Sequence, residues 1–248
     1  MSFDTLRAAL DTAPSPVDFF LRDDDAGWDD ARLFALLDTT ERAGVPIDLA
    51  VIPLAASTAL ATSLCSRKKA APHLLGLHQH GCAHINHETV ARKCEFGDAR
   101  SVDLQLADLL AGRERLRELF VDQTDNFFTP PWNRCSEATP LLLAKLGFTA
   151  LSRSRGAALG HALPELPVDV DWCKQQRLTR EQASGDAAAR IAQELAQRVA
   201  AGGPVGLMLH HAVMDDEDLA LLGAVFALTT RHAQARWRPM RELLVSER

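Results

Sequence analysis

"VDFFLRDDD", residues 17–25, is the stretch on which the fold turns. Its first six residues, Val17–Arg22, read as a β-strand, and three carboxylates follow at once. In a strand, alternate side chains share a face. Phe19 and Leu21 therefore point one way, and Phe20, Arg22 and Asp24 the other. One face is apolar enough to meet a layer of helices. The other ends in charge at the C-terminal end of the strand.

Three further segments repeat this arrangement. In "LLGLHQH" (Leu74–His80), Leu75 and Leu77 oppose Leu74, Gly76, His78 and His80. In "VGLMLHH" (Val205–His211), Val205, Leu207 and Leu209 oppose Gly206, Met208 and His210. In "PVDVDW" (Pro167–Trp172), Val168 and Val170 are expected on one face, with Asp169 and Asp171 on the other. In parallel α/β folds, active sites form at the C-terminal ends of strands, which is where all of these Asp and His residues fall.

Between these segments run helical patterns. "WDDARLFALLDTTERAG" (Trp28–Gly44) carries a Leu33, Leu36, Leu37 stripe, an aspartate cap and a terminal glycine. Residues 101–120 form a long amphipathic helix behind the Ser101 cap, and residues 137–147, 186–202 and about 216–232 read as helices too. "IDLAVIP" (47–53), "NFFTPP" (126–131) and "FTALS" (148–152) read as further strands. Strands alternating with helices predict right-handed βαβ units and a parallel sheet. About seven strands in one domain of 248 residues suit an α/β fold in the form of a closed or nearly closed barrel, with a doubly wound open sheet as the alternative. No G-x-G-x-x-G or G-x-x-x-x-G-K-[ST] follows any strand, so the usual nucleotide-binding uses of an open sheet lack support.

Composition narrows the partners. A net charge of -6 offers no nucleic-acid footprint, and "RKK" at Arg67–Lys69 reads as a solvated helix end. No apolar run is long enough to span a bilayer, and the first twenty residues carry aspartates where a signal peptide would be apolar. The five cysteines (Cys65, Cys82, Cys94, Cys135, Cys173) show no C-x-x-C spacing. Reduced thiols and a cytoplasmic location are the expectation. Nothing in the sequence fixes an oligomeric state.

"HGCAH", residues 80–84, places two histidines four apart. On a helical or tight turn both rings can meet one cation. Two imidazoles and a carboxylate hold a divalent metal while leaving positions for water and substrate. Such a metal lowers the pKa of bound water to about 7. The "RDDD" run would supply the carboxylate, because adjacent aspartates are costly to keep ionised in a partly buried place without a cation. Zn is the first choice, with Co, Ni, Fe or Mn compatible with the ligand types. Cys82, between the two histidines, reads as a small buried thiol.

In chain order, "LRDDDAG", "HGCAH", "TPPWN", "DVDW" and "LMLHH" resemble T-F-D-D-G, H-[ST]-x-x-H, R-P-P-Y-G, D-x-x-D-W and L-x-H of the polysaccharide deacetylases. These are metal-dependent carbohydrate esterases of the glycoside hydrolase/deacetylase barrel superfamily. The resemblance covers nearly the whole chain. It implies a distorted (β/α) barrel of about seven strands. It also implies hydrolysis of an N-acetyl group on an amino sugar or other small carbohydrate or glycoconjugate. It puts the metal on Asp25, His80 and His84. It makes Asp24 the base, with Asp23 the alternative register, and has the Trp132 N–H help hold the oxyanion. His210 becomes the general acid, with His211 as fallback, and Asp169 or Asp171 orients a neighbour. Two departures stand out: Thr129 replaces the family arginine, whose role could pass to Arg22 or Arg134 or be lost, and Gly81 replaces the hydroxyl residue between the histidines; Arg22, Arg134 and Asp169 are expected to contact substrate. Three rival readings remain: another metal-dependent amide or ester hydrolase on the same barrel, a lapsed enzyme that binds a glycan or protein, and a glycosidase with two carboxylates. The last would leave the histidines idle.

Overall fold

The computed structural model describes residues 3–156, 163–181 and 186–244. Strand β1 (Val17–Ala26) leads to helix α2 (Asp30–Ala43), after a short first helix α1 (Asp4–Asp11). There follow β2 (Ile47–Val51), α3 (Thr58–Ala70), β3 (Leu75–His80), α4 (Val102–Phe120), β4 (Phe127–Thr129), α5 (Ala138–Lys145) and β5 (Ala150–Leu151). The second part holds β6 (Val170–Asp171), α6 (Trp172–Glu181), α7 (Ala187–Ala201), β7 (Val205–Leu209), α8 (Asp216–Thr229), β8 (Ala235–Trp237) and α9 (Met240–Leu243). All described pairings are parallel, in the order β5-β4-β3-β2-β1-β7-β6, with β8 against the start of β1. The sheet curls into a half-barrel. Isolated bridges Leu151↔Glu165 and Ser154↔Val168 join the end of β5 and the residues just after it to the segment before β6. The distorted barrel of about seven strands is therefore what the chain forms, and the open doubly wound alternative is not.

Local chemistry explains the helix starts. Asp29, Ser57, Ser101 and Asp186 each accept a backbone N–H at a helix start, and Asp215 and Asp218 form a capping box. Gly44 ends α2 at φ 66, the left-handed C-cap that glycine adopts without a Cβ clash. The expected alternation then sets the layers. Phe19, Leu21, Leu49, Leu77, Leu207 and Leu209 join the outer core beneath α2, α3, α7 and α8. Phe20, Val168 and Met208 face inward with Phe127 and Met240. Each fully buried Leu or Phe contributes about 1.5–3 kcal/mol, so the two-faced pattern fixes the register.

Three expectations need correction. The Asp-rich tail of β1 stays in the strand, with a register shift between Asp23 and Ala26, so only Asp29 serves as the α2 cap. The strand expected at 148–152 shrinks to two residues, and that at 167–172 likewise, because the chain there bridges from β5 to β7. For the same reason Val168 and Val170 do not share a face: Val168 pairs toward Ser154 and packs inside, whereas Val170 pairs with Leu207 and packs outside. Among the described residues no helix is long and apolar enough to cross a membrane.

Candidate active site

Asp25, His80 and His84 converge at the C-terminal ends of β1 and β3. One ligand atom from each lies within 4.8 Å of the others. The Nε2 atoms of His80 and His84 stand 3.2 and 3.1 Å from Asp25 Oδ1. His80 Nδ1 lies 2.9 Å from the Thr129 carbonyl. That carbonyl takes the Nδ1 proton and leaves Nε2 turned toward Asp25, the outer support that metal-binding histidines commonly have. Asp25 and His84 hold positive φ, 70 and 58, a conformation costly for residues with a Cβ and often kept at functional sites. The Trp28 and Trp132 rings flank His84, with centroids 4.7 and 4.3 Å from its own. Burial pushes the Asp25 carboxyl up, but hydrogen bonds from His80 and His84 outweigh it and hold the group below the usual carboxylate range. Burial likewise pulls the His80 imidazole down, yet the Asp25 hydrogen bond and the Asp24 charge leave it raised. Two nitrogens and an oxygen aimed at one point in a buried, negatively charged place fit a divalent cation.

Asp24 lies just beneath, with a side chain 2% exposed. Arg22 grips it through Nε to Oδ1 at 2.8 Å and Nη2 to Oδ2 at 2.9 Å. The guanidinium also donates to Ser152 Oγ and Asn133 Oδ1, both at 2.7 Å. Arg22 is therefore fully buried with its guanidinium committed to Asp24, Ser152 and Asn133, and it does not face the cavity as the expected substrate contact would. Burial raises the Asp24 carboxyl, while Arg22, His80 and His210 lower it, and the net shift is downward. Arg134 does not share this role, since its Nη1 donates to the Lys93 carbonyl. Thr129, in place of the family arginine, serves two histidines. Its carbonyl holds His80, and its Oγ1 lies 2.8 Å from His78 Nε2. Burial pushes the His78 imidazole down to about 3 and keeps it neutral beside Arg22.

The histidine pair at the end of β7 divides. The half-buried His210 lines a cavity of about 500 Å³ with Asp25, Asp171 and Val213. His211 turns away from it. Its Nδ1 lies 2.6 Å from Asp23 Oδ2 and its Nε2 2.6 Å from the Trp28 carbonyl. Both nitrogens donate, so the ring is an imidazolium; burial pulls it down, but the Asp23 carboxylate prevails and raises it to about 9. Asp23 also accepts the His211 N–H at 2.9 Å. The fallback acid and the alternative base thus hold each other in a buried latch and are withdrawn from the cavity.

Asp171 lines the cavity and also caps α6 by accepting the Lys174 N–H at 3.0 Å. Asp169 is drawn off by Arg155, Arg198 and the Gly206 N–H, so its expected substrate contact gives way to a structural one. Trp132 sits at φ 56 in a short turn, Pro131–Asn133, and among the described residues no hydrogen bond takes up its N–H. Cys82 is 3% exposed, and burial pushes its thiol up to about 12, in keeping with a small buried thiol. Sequence reasoning missed Ser152 and Asn133 on Arg22, and Glu95 beneath the His84 loop. Ser152 and Glu95 belong to no motif, and Asn133, the last residue of "TPPWN", reaches Arg22 from 111 residues away.

No family model matches the sequence, and no curated protein is recognisably similar to it. Solved structures are. A candidate polysaccharide deacetylase from Mycobacterium smegmatis superposes with a TM-score of 0.71 at 18% identity, over 94% of this chain and 91% of that one. A family 4 acetyl xylan esterase from Clostridium thermocellum, solved with a cobalt ion, gives 0.60 at 12%, over 92% and 90%. A CE4 family pseudoenzyme from Bacillus anthracis gives 0.61 at 11%, over 94% and 66%. The chain has the fold of the polysaccharide deacetylases.

Proposed function

We propose that this chain is a metal-dependent hydrolase that removes the N-acetyl group from an amino sugar or a related small carbohydrate. The observation that carries the reading is the convergence of Asp25, His80 and His84 beside an ionised Asp24 and a half-buried His210. Asp25, His80 and His84 would hold a divalent cation, Zn first, which would supply Lewis acidity to an acyl oxygen and acidify a water. Asp24, kept ionised by Arg22, takes a proton from the attacking water. The Trp132 N–H donates to the oxyanion of the tetrahedral intermediate. His210 delivers a proton to the departing amine as the C–N bond breaks. No covalent acyl-enzyme is needed, and no G-x-S-x-G elbow is present to form one.

An O-acetyl ester is the second reading, favoured by the likeness to an acetyl xylan esterase. The likeness to a pseudoenzyme makes a lapsed binding module the third, and the retained Asp24, Asp25, His80, His84 and His210 weigh against it. Five free cysteines are in keeping with a cytoplasmic place of action. The test is acetate release from N-acetylated hexosamines, their short oligomers and O-acetylated sugars, with metal-loaded and chelator-treated protein. Chelator-sensitive release from the N-acetyl set is expected. Release confined to O-acetyl substrates selects the second reading, and no release from either selects the third.

A further inference from the structure

We infer that Glu95 is a positioning residue for the metal, because its carboxylate shapes the Gly81–Ile85 loop that carries His84. The inference rests on the proposed metal site and adds a residue that no motif contains. Glu95 is 1% exposed. Its Oε2 accepts the Cys82 N–H at 3.2 Å, and its Oε1 accepts the Ala83 N–H at 2.8 Å and the Ile85 N–H at 3.5 Å. One oxygen thus ties the amides on both sides of His84, whose own φ is 58. A residue in that conformation drifts toward negative φ unless its neighbours are held. The backbone amides form a nest around the buried anion, which offsets its desolvation.

Gly81 makes room for this. At φ +60, a Cβ there would stand 2.1 Å from Glu95 Oε2 and 2.6 Å from Pro131 Cγ. The hydroxyl residue that the deacetylase motif carries at this position would force the carboxylate or Pro131 to shift. Glu95 is itself fixed to the loop that bears Trp132. Phe96 bridges to Cys135, the Ser136 N–H donates to the Phe96 carbonyl at 2.7 Å, and Arg134 reaches the Lys93 carbonyl. One side chain therefore links the His84 loop to the Trp132 loop, and it sets where the His84 ring stands between Asp25 and Trp132.

The test is Zn2+ affinity by chelator competition, with melting temperatures of the metal-free and loaded protein. Glu95→Gln keeps the shape but sets an amide NH2 against a backbone N–H. It is expected to weaken Zn2+ binding about 10- to 100-fold, the usual range for groups that orient a ligand. It should also shrink the metal-induced rise in Tm. In a His84→Ala background the same change should alter the residual affinity less than about twofold, because Glu95 acts through His84. A Glu95→Gln protein with wild-type affinity overturns the inference, as does an equal drop in both melting temperatures, which marks a loop brace with no bearing on the metal. Should the variant fail to fold, hydrogen exchange in metal-free wild type decides: protected Cys82 and Ala83 amides support the inference and freely exchanging ones overturn it. Failure of the wild-type protein to bind Zn2+ removes the proposed function as well, and so is distinguishable from failure of this inference alone.

Discussion

Arg22 and Asp24 lie two residues apart on one strand and face each other inside the barrel, joined by two hydrogen bonds of 2.8 and 2.9 Å. The deacetylase motif places its arginine at the end of the fourth strand. Here that position is Thr129, and the guanidinium comes from β1 instead. The base candidate therefore has its charged partner, reached by a different route. Arg22→Met leaves a buried carboxylate unpaired and should destabilise the protein by about 3–5 kcal/mol in urea unfolding. Arg22→Lys keeps the charge but loses the fork. Its kcat should fall at least about tenfold while Zn2+ affinity stays within about threefold of wild type. Unchanged kcat in Arg22→Lys would show that Asp24 needs no orienting partner.

Asp24→Asn is expected to retain metal and lose most turnover, about 100-fold or more, because it removes the base and spares the ligands. Asp25→Asn should weaken metal binding first. Metal content and kcat, measured on the same preparations, separate the two. Swapped phenotypes would make Asp24 the ligand.

His210→Ala should keep metal and lower kcat strongly on an N-acetyl substrate, with a smaller loss on an activated aryl acetate, whose leaving group needs no proton. Equal losses on both substrates remove His210 from the acid role. His211→Ala should act on stability instead. The His211 imidazole is raised to about 9 in the folded protein from 6.5, so the Asp23 latch contributes fully below pH 6.5 and is lost as pH rises through 9. Its loss costs on the order of 3 kcal/mol. Urea unfolding from pH 6 to 10 should show that decline in wild type and a flatter profile in His211→Gln.

Asp48 sets a second pH dependence, at the other end of the barrel. Its Oδ2 accepts the Met240 N–H at 2.9 Å, and burial pushes its carboxyl up to about 7. A carboxyl raised in the folded state binds its proton more tightly there than in the unfolded chain. Its contribution is therefore greatest below about pH 4 and is lost as pH rises toward 7. Asp48→Asn should remove that slope from the unfolding free energy between pH 4 and 7. A slope that persists in the variant assigns it to another group.

Much of this was legible in the sequence, because one side-chain pattern carried it. Alternation along Val17–Asp24, Leu75–His80 and Val205–Leu209 placed the apolar and polar faces as the structure has them. The same rule failed at Val168–Asp171, where two short pairings to different neighbours break the extended run, and no single-sequence pattern marks that break. The meeting of Asp25, His80 and His84 was readable from motif order. The roles of His210 and His211 were not separable by spacing. What separates them is that the Asp23 carboxylate and the Trp28 carbonyl lie on one side of β7, a three-dimensional fact. The roles of Ser152, Asn133 and Glu95 were invisible for the same reason: each rests on a three-dimensional contact that motif spacing does not encode.

The central claim is a metal held by Asp25, His80 and His84, and equilibrium dialysis against Zn2+ tests it most directly. Chelator-stripped wild type should take up one Zn2+ per chain, and His80→Ala and His84→Ala should lose it while keeping the wild-type circular dichroism spectrum. A folded His84→Ala protein that binds Zn2+ with wild-type stoichiometry and affinity would contradict the account.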